Sequence, residues 1–362
     1  MSDTRIHVKA SRQYDVVIGH GLLNQCGSLV KEVVPKAVKV LVVTETNVAP
    51  LYLDQVTESI INEGIECVEY IFEAGEKSKN IDTVAGMWGA MAQEGFTRTD
   101  AIVALGGGVT GDMAGFAAAT FLRGIEVIQI PTSLLAQVDA SVGGKTGIDL
   151  PEGKNQVGAF HQPSMVIEDT DCLGTLPPDK FTEGLGEVLK YAFIMDKELY
   201  KILSDYRDAG KAKDLQNDSE MLSDVVRRCV MDKVDVIEND EFDTGRRQIL
   251  NFGHTIGHVI ERNSGFTKDH GVCVAMGMGI MTDKCLAAGL MDRETHDKMI
   301  SLIEDYGLPT GDDITPEDAV SGVMNDKKKR GNTISLILVN KIGEAEIVPM
   351  TPEQLLEFLT RG

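Results

Sequence analysis

The stretch "DAIVALGGGVTGD", residues 100–112, decides the fold. A run of aliphatic residues stops at three consecutive glycines and passes into a segment with helical spacing. Strand, glycine turn and helix in that order make the repeating unit of a parallel α/β sheet. Gly106, Gly108 and Gly111 also satisfy G-x-G-x-x-G, a weak signal by itself. The ordinary dinucleotide fingerprint lies in the first βα turn, with an acid about twenty residues on at a strand end. Here the loop follows a later strand, and no acid occupies that place. The stretch therefore allows two readings. It is either a tight turn without a ligand, or a cradle in which glycines admit a phosphate and a helix N-terminus supplies free N–H groups. The second is the better fit, with Glu45 and Asn47 of "TETN" (44–47) at an earlier strand end as ribose contacts. The fold is then α/β and dinucleotide-binding, but of an unorthodox kind.

The pattern extends outward from this stretch. "RIHVKA" and "YDVVIG" predict a short hairpin, and "KVLVVTE" (39–45), "ECVEYIFEAG" (66–75) and "IEVIQIP" (125–131) predict strands separated by helices, which makes a Rossmann-like parallel sheet. From about Phe181 the signal changes to amphipathic helices over 181–195, 219–238, 248–262, 272–289 and 294–306. A strand-like pair, "TISLILVN" and "GEAEIVP", and a helix at 352–360 follow. Two prolines in "LGTLPPDKF" (173–181) mark the boundary, so residues 1–178 form an α/β domain and 179–362 a mainly α-helical one.

Length and composition agree with two globular domains: 362 residues exceed one ordinary core. No apolar run reaches the ~18 residues of a membrane span. The N-terminus has no apolar core behind a basic start, which argues against a signal peptide. The six cysteines are scattered without a C-x-x-C, as expected for buried thiols in a reducing cytoplasm. With 35 basic and 56 acidic side chains the net charge is −21. That field repels nucleic acid and anionic membranes, so neither is expected as a partner. An anionic substrate would need a basic pocket built against the global sign.

Three helical segments carry polar residues in telling places. Arg247, Asn251, His254 and His258 recur at spacings that line one side of a helix, with Ile249, Phe252, Ile256, Val259 and Ile260 opposite. A solvated face usually carries Lys and Glu, whereas an Arg-Asn-His-His stripe suits a ligand. Gly253 and Gly257 let a neighbouring element approach. In 219–238, Lys233 falls inside the apolar stripe, so it either snorkels or meets a buried anion. In 181–195, Glu183, Glu187 and Lys190 read as the solvated face of an ordinary amphipathic helix. Glu187 gains interest only as an oxygen ligand beside histidines. A third histidine, His270, precedes a Gly- and Met-rich helix. Two histidines and one carboxylate make a catalytic zinc site with an open position.

"QVDASVGGKTGIDLPEGKNQVGAFHQP" (137–163), "GGGVTGD", "TEGLGEVLKYAFI" (182–194), "NFGHTIGHVIE" and "DHG" together resemble the 3-dehydroquinate synthase family of the sugar phosphate cyclases, with motifs in order from about residue 40 to 340. The resemblance implies a cytosolic homodimer that requires NAD and Zn2+ or Co2+. It also implies conversion of 3-deoxy-D-arabino-heptulosonate 7-phosphate to 3-dehydroquinate and phosphate in the shikimate pathway. NAD would be transiently reduced, phosphate eliminated and the ring closed by an internal aldol step. Carried over by position, the metal ligands are Glu187, His254 and His270. The substrate contacts are Arg123, Asp139, Lys145, Asn155, Lys190, Lys233, Arg247, Asn251 and His258, with Lys327 or Lys328 of "NDKKK". The dinucleotide contacts are Glu45, Asn47, Gly75, Glu76, Lys79, Gly108, Val109, Thr110, Gly111, Asp112, Thr132, Ser133, Lys145, Lys154, Cys172, Leu173 and Thr175. One departure stands out: the family usually reads His-Gly-Glu-Ala-Val after the last ligand, and here Val272 and Cys273 follow Gly271. No ligand is lost, but the groups that orient His270 are expected to change. Related readings are a 2-deoxy-scyllo-inosose or valiolone-type synthase, a glycerol-dehydrogenase-like enzyme, and an inactive NAD-binding regulatory module.

Overall fold

The computed structural model describes residues 3–327 and 333–361. The chain divides into two compact units, Met1–Leu176 with Ser219–Glu241, and Pro177–Asp218 with Phe242–Gly362. The first unit contains β1 (Thr4–Lys9), β2 (Gln13–Gly19), α1 (Cys26–Val33), β3 (Lys39–Glu45), α2 (Ala49–Asn62), β4 (Glu66–Phe72), α3 (Ile81–Gln93) and β5 (Ala101–Gly106). It continues with α4 (Gly108–Thr120), β6 (Glu126–Pro131), a hairpin of β7 (Lys145–Leu150) and β8 (Gly153–Phe160), and β9 (Met165–Asp169).

Seven of these strands form one sheet in the order β1-β2-β9-β6-β5-β3-β4. β1 and β2 pair antiparallel, and the remaining pairings are parallel. In β3, Val40 and Val42 join the core that contains α1 and α2, while Leu41 and Val43 join the one that contains α3 and α4. With both faces buried, the strand has to read as an unbroken apolar run rather than an alternation. The chain passes from β3 to β4 on one side and returns to β5 on the other. The carboxyl ends of β3 and β5 therefore flank a topological switch point, where open α/β sheets bind ligands. This explains why the glycine turn follows a later strand than the ordinary fingerprint requires.

The chain continues through α5 (Pro178–Ile194), α6 (Lys197–Asp208), α7 (Ser219–Asn239), α8 (His254–Asn263), α9 (His270–Ala287), α10 (Arg293–Asp305) and α11 (Pro316–Lys327). A two-stranded ribbon of β10 (Ile334–Lys341) and β11 (Glu344–Met350) and a last helix, α12 (Pro352–Thr360), complete it. A single cut after residue 178 does not describe the division, because α7 groups with the sheet unit. The other helices group together. α6, α11 and the β7–β8 hairpin are elements that periodicity did not announce. Among the described residues, no helix is long and apolar enough to cross a membrane. None of the six cysteines, all among the described residues, is in a disulfide.

Two expectations about helices need correcting. The segment 248–262 is not one helix. Arg246–Asn251 forms a 3-10 turn, Gly253 adopts a left-handed φ of 78°, and α8 begins at His254. Arg247 and Asn251 therefore do not share a helical face with His254 and His258. The second correction concerns α5, which is not an ordinary amphipathic helix. Glu187 and Lys190 are each 1 % exposed, because α9 and the β10–β11 ribbon pack around the helix as well.

Candidate functional site

The helical unit brings Glu187 of α5 together with His254 and His270, the first residues of α8 and α9. Backbone contacts at glycines cause this. A Cβ on Gly271 would collide with the Glu183 carbonyl of α5, and one on Gly277 with the Gly253 carbonyl that precedes α8. Without side chains there, the starts of α8 and α9 come close to the middle of α5, where Glu187 lies. Oε1 of Glu187 lies 3.5 Å from Nε2 of His254 and 3.4 Å from Nε2 of His270. Bonds of about 2.0–2.2 Å arranged as a tetrahedron place donors about 3.3–3.6 Å apart. Both carboxylate–imidazole distances thus fit donors of one zinc-like ion. His258 stands beside them, its ring centroid 5.3 Å from that of His254 and 5.6 Å from that of His270. It belongs to a looser cluster in which the histidine nitrogens lie within 4.8 Å, and it is exposed.

Each of the two closer imidazoles has its other nitrogen engaged. Nδ1 of His254 lies 3.1 Å from the carbonyl of Phe252, and Nδ1 of His270 lies 3.4 Å from Oε2 of Glu261. Either acceptor favours a proton on Nδ1, so Nε2, beside Glu187, is the nitrogen available to an ion. Burial pushes His254 down to about 3, so its ring is neutral and ready to ligate. For His270 burial works the same way, but hydrogen bonds to Glu187 and Glu261 lift it to about 10. Lys190 pairs with Glu187 inside the same buried pocket, and Arg247 is buried nearby in sequence, 2 % exposed. Asn251 is half-buried. Lys180 reaches Asp269, just before His270, at 2.5 Å.

Sequence reasoning missed Glu261. Its signal was available: 254, 258 and 261 recur at helical spacing on α8, so Glu261 shares the face of both histidines.

The sheet unit gathers a second set. α4 starts directly after β5, so the N–H groups of Gly108, Val109 and Thr110 lie in its first turn, where no intrahelical acceptor exists. The side chain of Ser133, after β6, lies next to Gly107, and the N–H of Thr132 donates to the Gly106 carbonyl at 3.0 Å. Lys79, 5 % exposed, donates at 2.6 Å to both Asp112 and Asn155. Burial opposes its charge, but the carboxylates of Asp112 and Glu76 outweigh that and raise its pKa. Lys154 pairs with Glu76 at 2.9 Å, next to Gly75. At the end of β3, Glu45 accepts from the N–H of Asn47 at 2.6 Å. Tyr52 hydrogen-bonds Thr175 and the carbonyl of Cys172, and Cys172 and Leu173 are buried. Lys233 meets an anion rather than snorkelling. It donates to the backbone carbonyl of Asp139 and lies 3.1 Å from its carboxylate. Lys145 is exposed at the start of β7. Arg123 is exposed on a turn where Leu122, Arg123 and Gly124 all have positive φ. Lys328 lies outside the described residues, as does the side chain of Lys327.

Both halves of the chain match family models. The model of the 3-dehydroquinate synthase N-terminal domain covers residues 69–183, and that of the C-terminal domain covers 184–329. The chain belongs to the 3-dehydroquinate synthase family. It is 42% identical over 352 residues to the 3-dehydroquinate synthase of Lactococcus lactis subsp. cremoris (strain MG1363), covering 96% of this chain and 97% of that one. It is 43% identical to the one of Streptococcus suis (strain 05ZYH33) over 348 residues, 96% of each. Among solved structures, the fold resembles a 2-epi-5-epi-valiolone synthase from Streptomyces hygroscopicus subsp. jinggangensis 5008 with NAD+ and Zn2+ bound. That match has a TM-score of 0.85, 26% identity and 98% coverage of both chains. A 2-deoxy-scyllo-inosose synthase complexed with carbaglucose-6-phosphate, NAD+ and Co2+ matches in fold, with a TM-score of 0.84 at 24% identity, covering 99% of this chain and all of the other.

Proposed function

We infer that the chain catalyses the reaction of its family. A 3-deoxy-D-arabino-heptulosonate 7-phosphate is converted to 3-dehydroquinate and phosphate, a step of the shikimate pathway. The observation that carries this is the convergence of Glu187 with His254 and His270, each imidazole within 3.5 Å of its carboxylate, in a chain whose two halves match the synthase domains. When bound, a divalent ion supplies Lewis acidity and NAD supplies reversible hydride acceptance, so no net oxidation results.

This chain's own residues have distinct tasks in the reaction. Glu187, His254 and His270 would hold the ion, Zn2+ or Co2+. The first turn of α4, with Gly108 to Gly111, holds the dinucleotide pyrophosphate, and Glu45 and Asn47 hold a ribose. Thr132, Ser133, Lys154 and Thr175 complete the dinucleotide contacts, and the Lys79–Asp112–Asn155 cluster keeps that wall rigid. Lys145, Lys190, Lys233 and Arg247 bind the phosphate and carboxylate of the substrate, overcoming the global charge of −21 locally. Asp139, Asn251 and His258 orient hydroxyls and relay protons. Arg123 and a lysine at 327 or 328 add charge to the substrate contacts. The enzyme acts in the cytoplasm as a homodimer.

The test is phosphate release from the heptulosonate phosphate and from glucose 6-phosphate, with and without chelator. The expected result is release from the first substrate alone, abolished by chelator, with no accumulation of NADH. Release from glucose 6-phosphate, or steady NADH formation, would assign the chain to another branch of the fold.

A further inference from the structure

We propose that Glu261 is a positioning residue for the metal: it holds the His270 ring so that Nε2, rather than Nδ1, is presented to the ion. The inference rests on the metal-dependent reading above and adds a residue to it.

The two ligand histidines obtain their second hydrogen bond in different ways. His254 follows a left-handed glycine, and its Nδ1 finds the carbonyl of Phe252, two residues back, at 3.1 Å. His270 starts α9 after Asp269, whose extended backbone directs the preceding chain away. The second partner it has comes from a neighbouring helix: Oε2 of Glu261 on α8, 3.4 Å from Nδ1, while Nε2 lies 3.4 Å from Oε1 of Glu187. Glu261 reaches this place because α8 and α9 touch through Gly257 and Gly277. Its side chain is 4 % exposed. A carboxylate that deep is costly without a donor, and the imidazole N–H supplies one. A charged acceptor also makes an imidazole a stronger donor than a peptide carbonyl does, and fixes its tautomer. His270 is thus the ligand whose strength a side chain controls.

The experiment uses the full-length protein with Zn2+ or Co2+ and measures metal affinity by chelator competition and the visible spectrum of the Co2+ form. Thermal unfolding of the metal-free form is recorded alongside. Glu261→Ala should weaken metal binding by about 10- to 100-fold and shift the Co2+ bands. Glu261→Gln, which keeps the volume and an acceptor oxygen but not the charge, should give a smaller loss in the same direction. If the alanine variant does not fold, the glutamine variant decides. Weaker binding with unchanged metal-free unfolding supports the proposal, and wild-type affinity with an unchanged spectrum overturns it. Glu187→Ala separates the two levels. If that variant loses the metal while Glu261 variants bind normally, only the role of Glu261 falls. If it binds like wild type, the metal assignment falls first.

Discussion

The glycine turn after β5 and the proposed metal centre, at the starts of α8 and α9 beside the middle of α5, are built by opposite means. The turn is contiguous: strand, glycines and helix follow one another, and the N–H groups that can hold an anion belong to the same short stretch. The proposed metal centre draws its donors from three helices separated along the chain, and what joins them is backbone contact at Gly271 and Gly277. The first depends on local geometry, the second on how well helices pack. A change of packing should therefore disable the second and spare the first.

The largest effect is expected at the donor set itself. Glu187→Ala removes the oxygen ligand, and Lewis acidity is worth several kcal/mol, so turnover should fall by roughly a thousandfold or more. Metal analysis of the purified variant should show loss of the ion, while dinucleotide titration stays unchanged. If turnover survived in a metal-free preparation, the contrast between the two regions would lose its chemical meaning.

A smaller effect sharpens the comparison without touching a ligand. Gly277→Ala places a methyl group against the Gly253 carbonyl, which is backbone and cannot swing aside. Overpacking of this kind costs about 1–3 kcal/mol. Denaturant unfolding should show that loss, and metal affinity should drop because α8 and α9 are pushed apart. Dinucleotide affinity should hold. Equal loss at both sites would show that the glycine turn is not locally built.

The smallest effect lies within the sheet unit. Glu168, near the end of β9, is fully buried, and burial holds its carboxyl well above the usual range. A carboxyl whose folded pKa exceeds its unfolded one favours the fold while protonated. That contribution is complete below the ordinary carboxylate range and is lost as pH rises toward the folded value. Glu168→Gln should flatten this dependence and raise stability at neutral pH relative to wild type, measured by unfolding across pH. A steeper dependence in the variant would contradict the burial argument.

The residues differ in how far the sequence disclosed them. The strand runs and glycine turn were legible because a parallel strand buried on both faces leaves an unbroken apolar signature. Lys233 stood out as a charge inside an apolar stripe, yet nothing in its neighbours named Asp139 as partner, which lies far off in sequence. Glu187 and Lys190 read as solvated because helical periodicity reports one buried face, and α5 is covered on a second by α9. Arg247 and Asn251 were placed on the helix of His254 because the periodicity ran through Gly253, whose left-handed backbone ends it. Glu261 sat on the right face, but a glutamate in that place is usually solvated.

The sequence by itself determined the α/β class, the anion-ready turn and the residue types capable of gripping a cation. Those follow from local propensities and short-range spacing, which neighbours in the chain settle among themselves. The tertiary structure alone decided which imidazole nitrogen faces Glu187, which carboxylate steadies His270, and that α7 groups with the sheet. Such choices depend on helices meeting at glycine backbones, and contact between distant segments leaves no period in the chain that makes it.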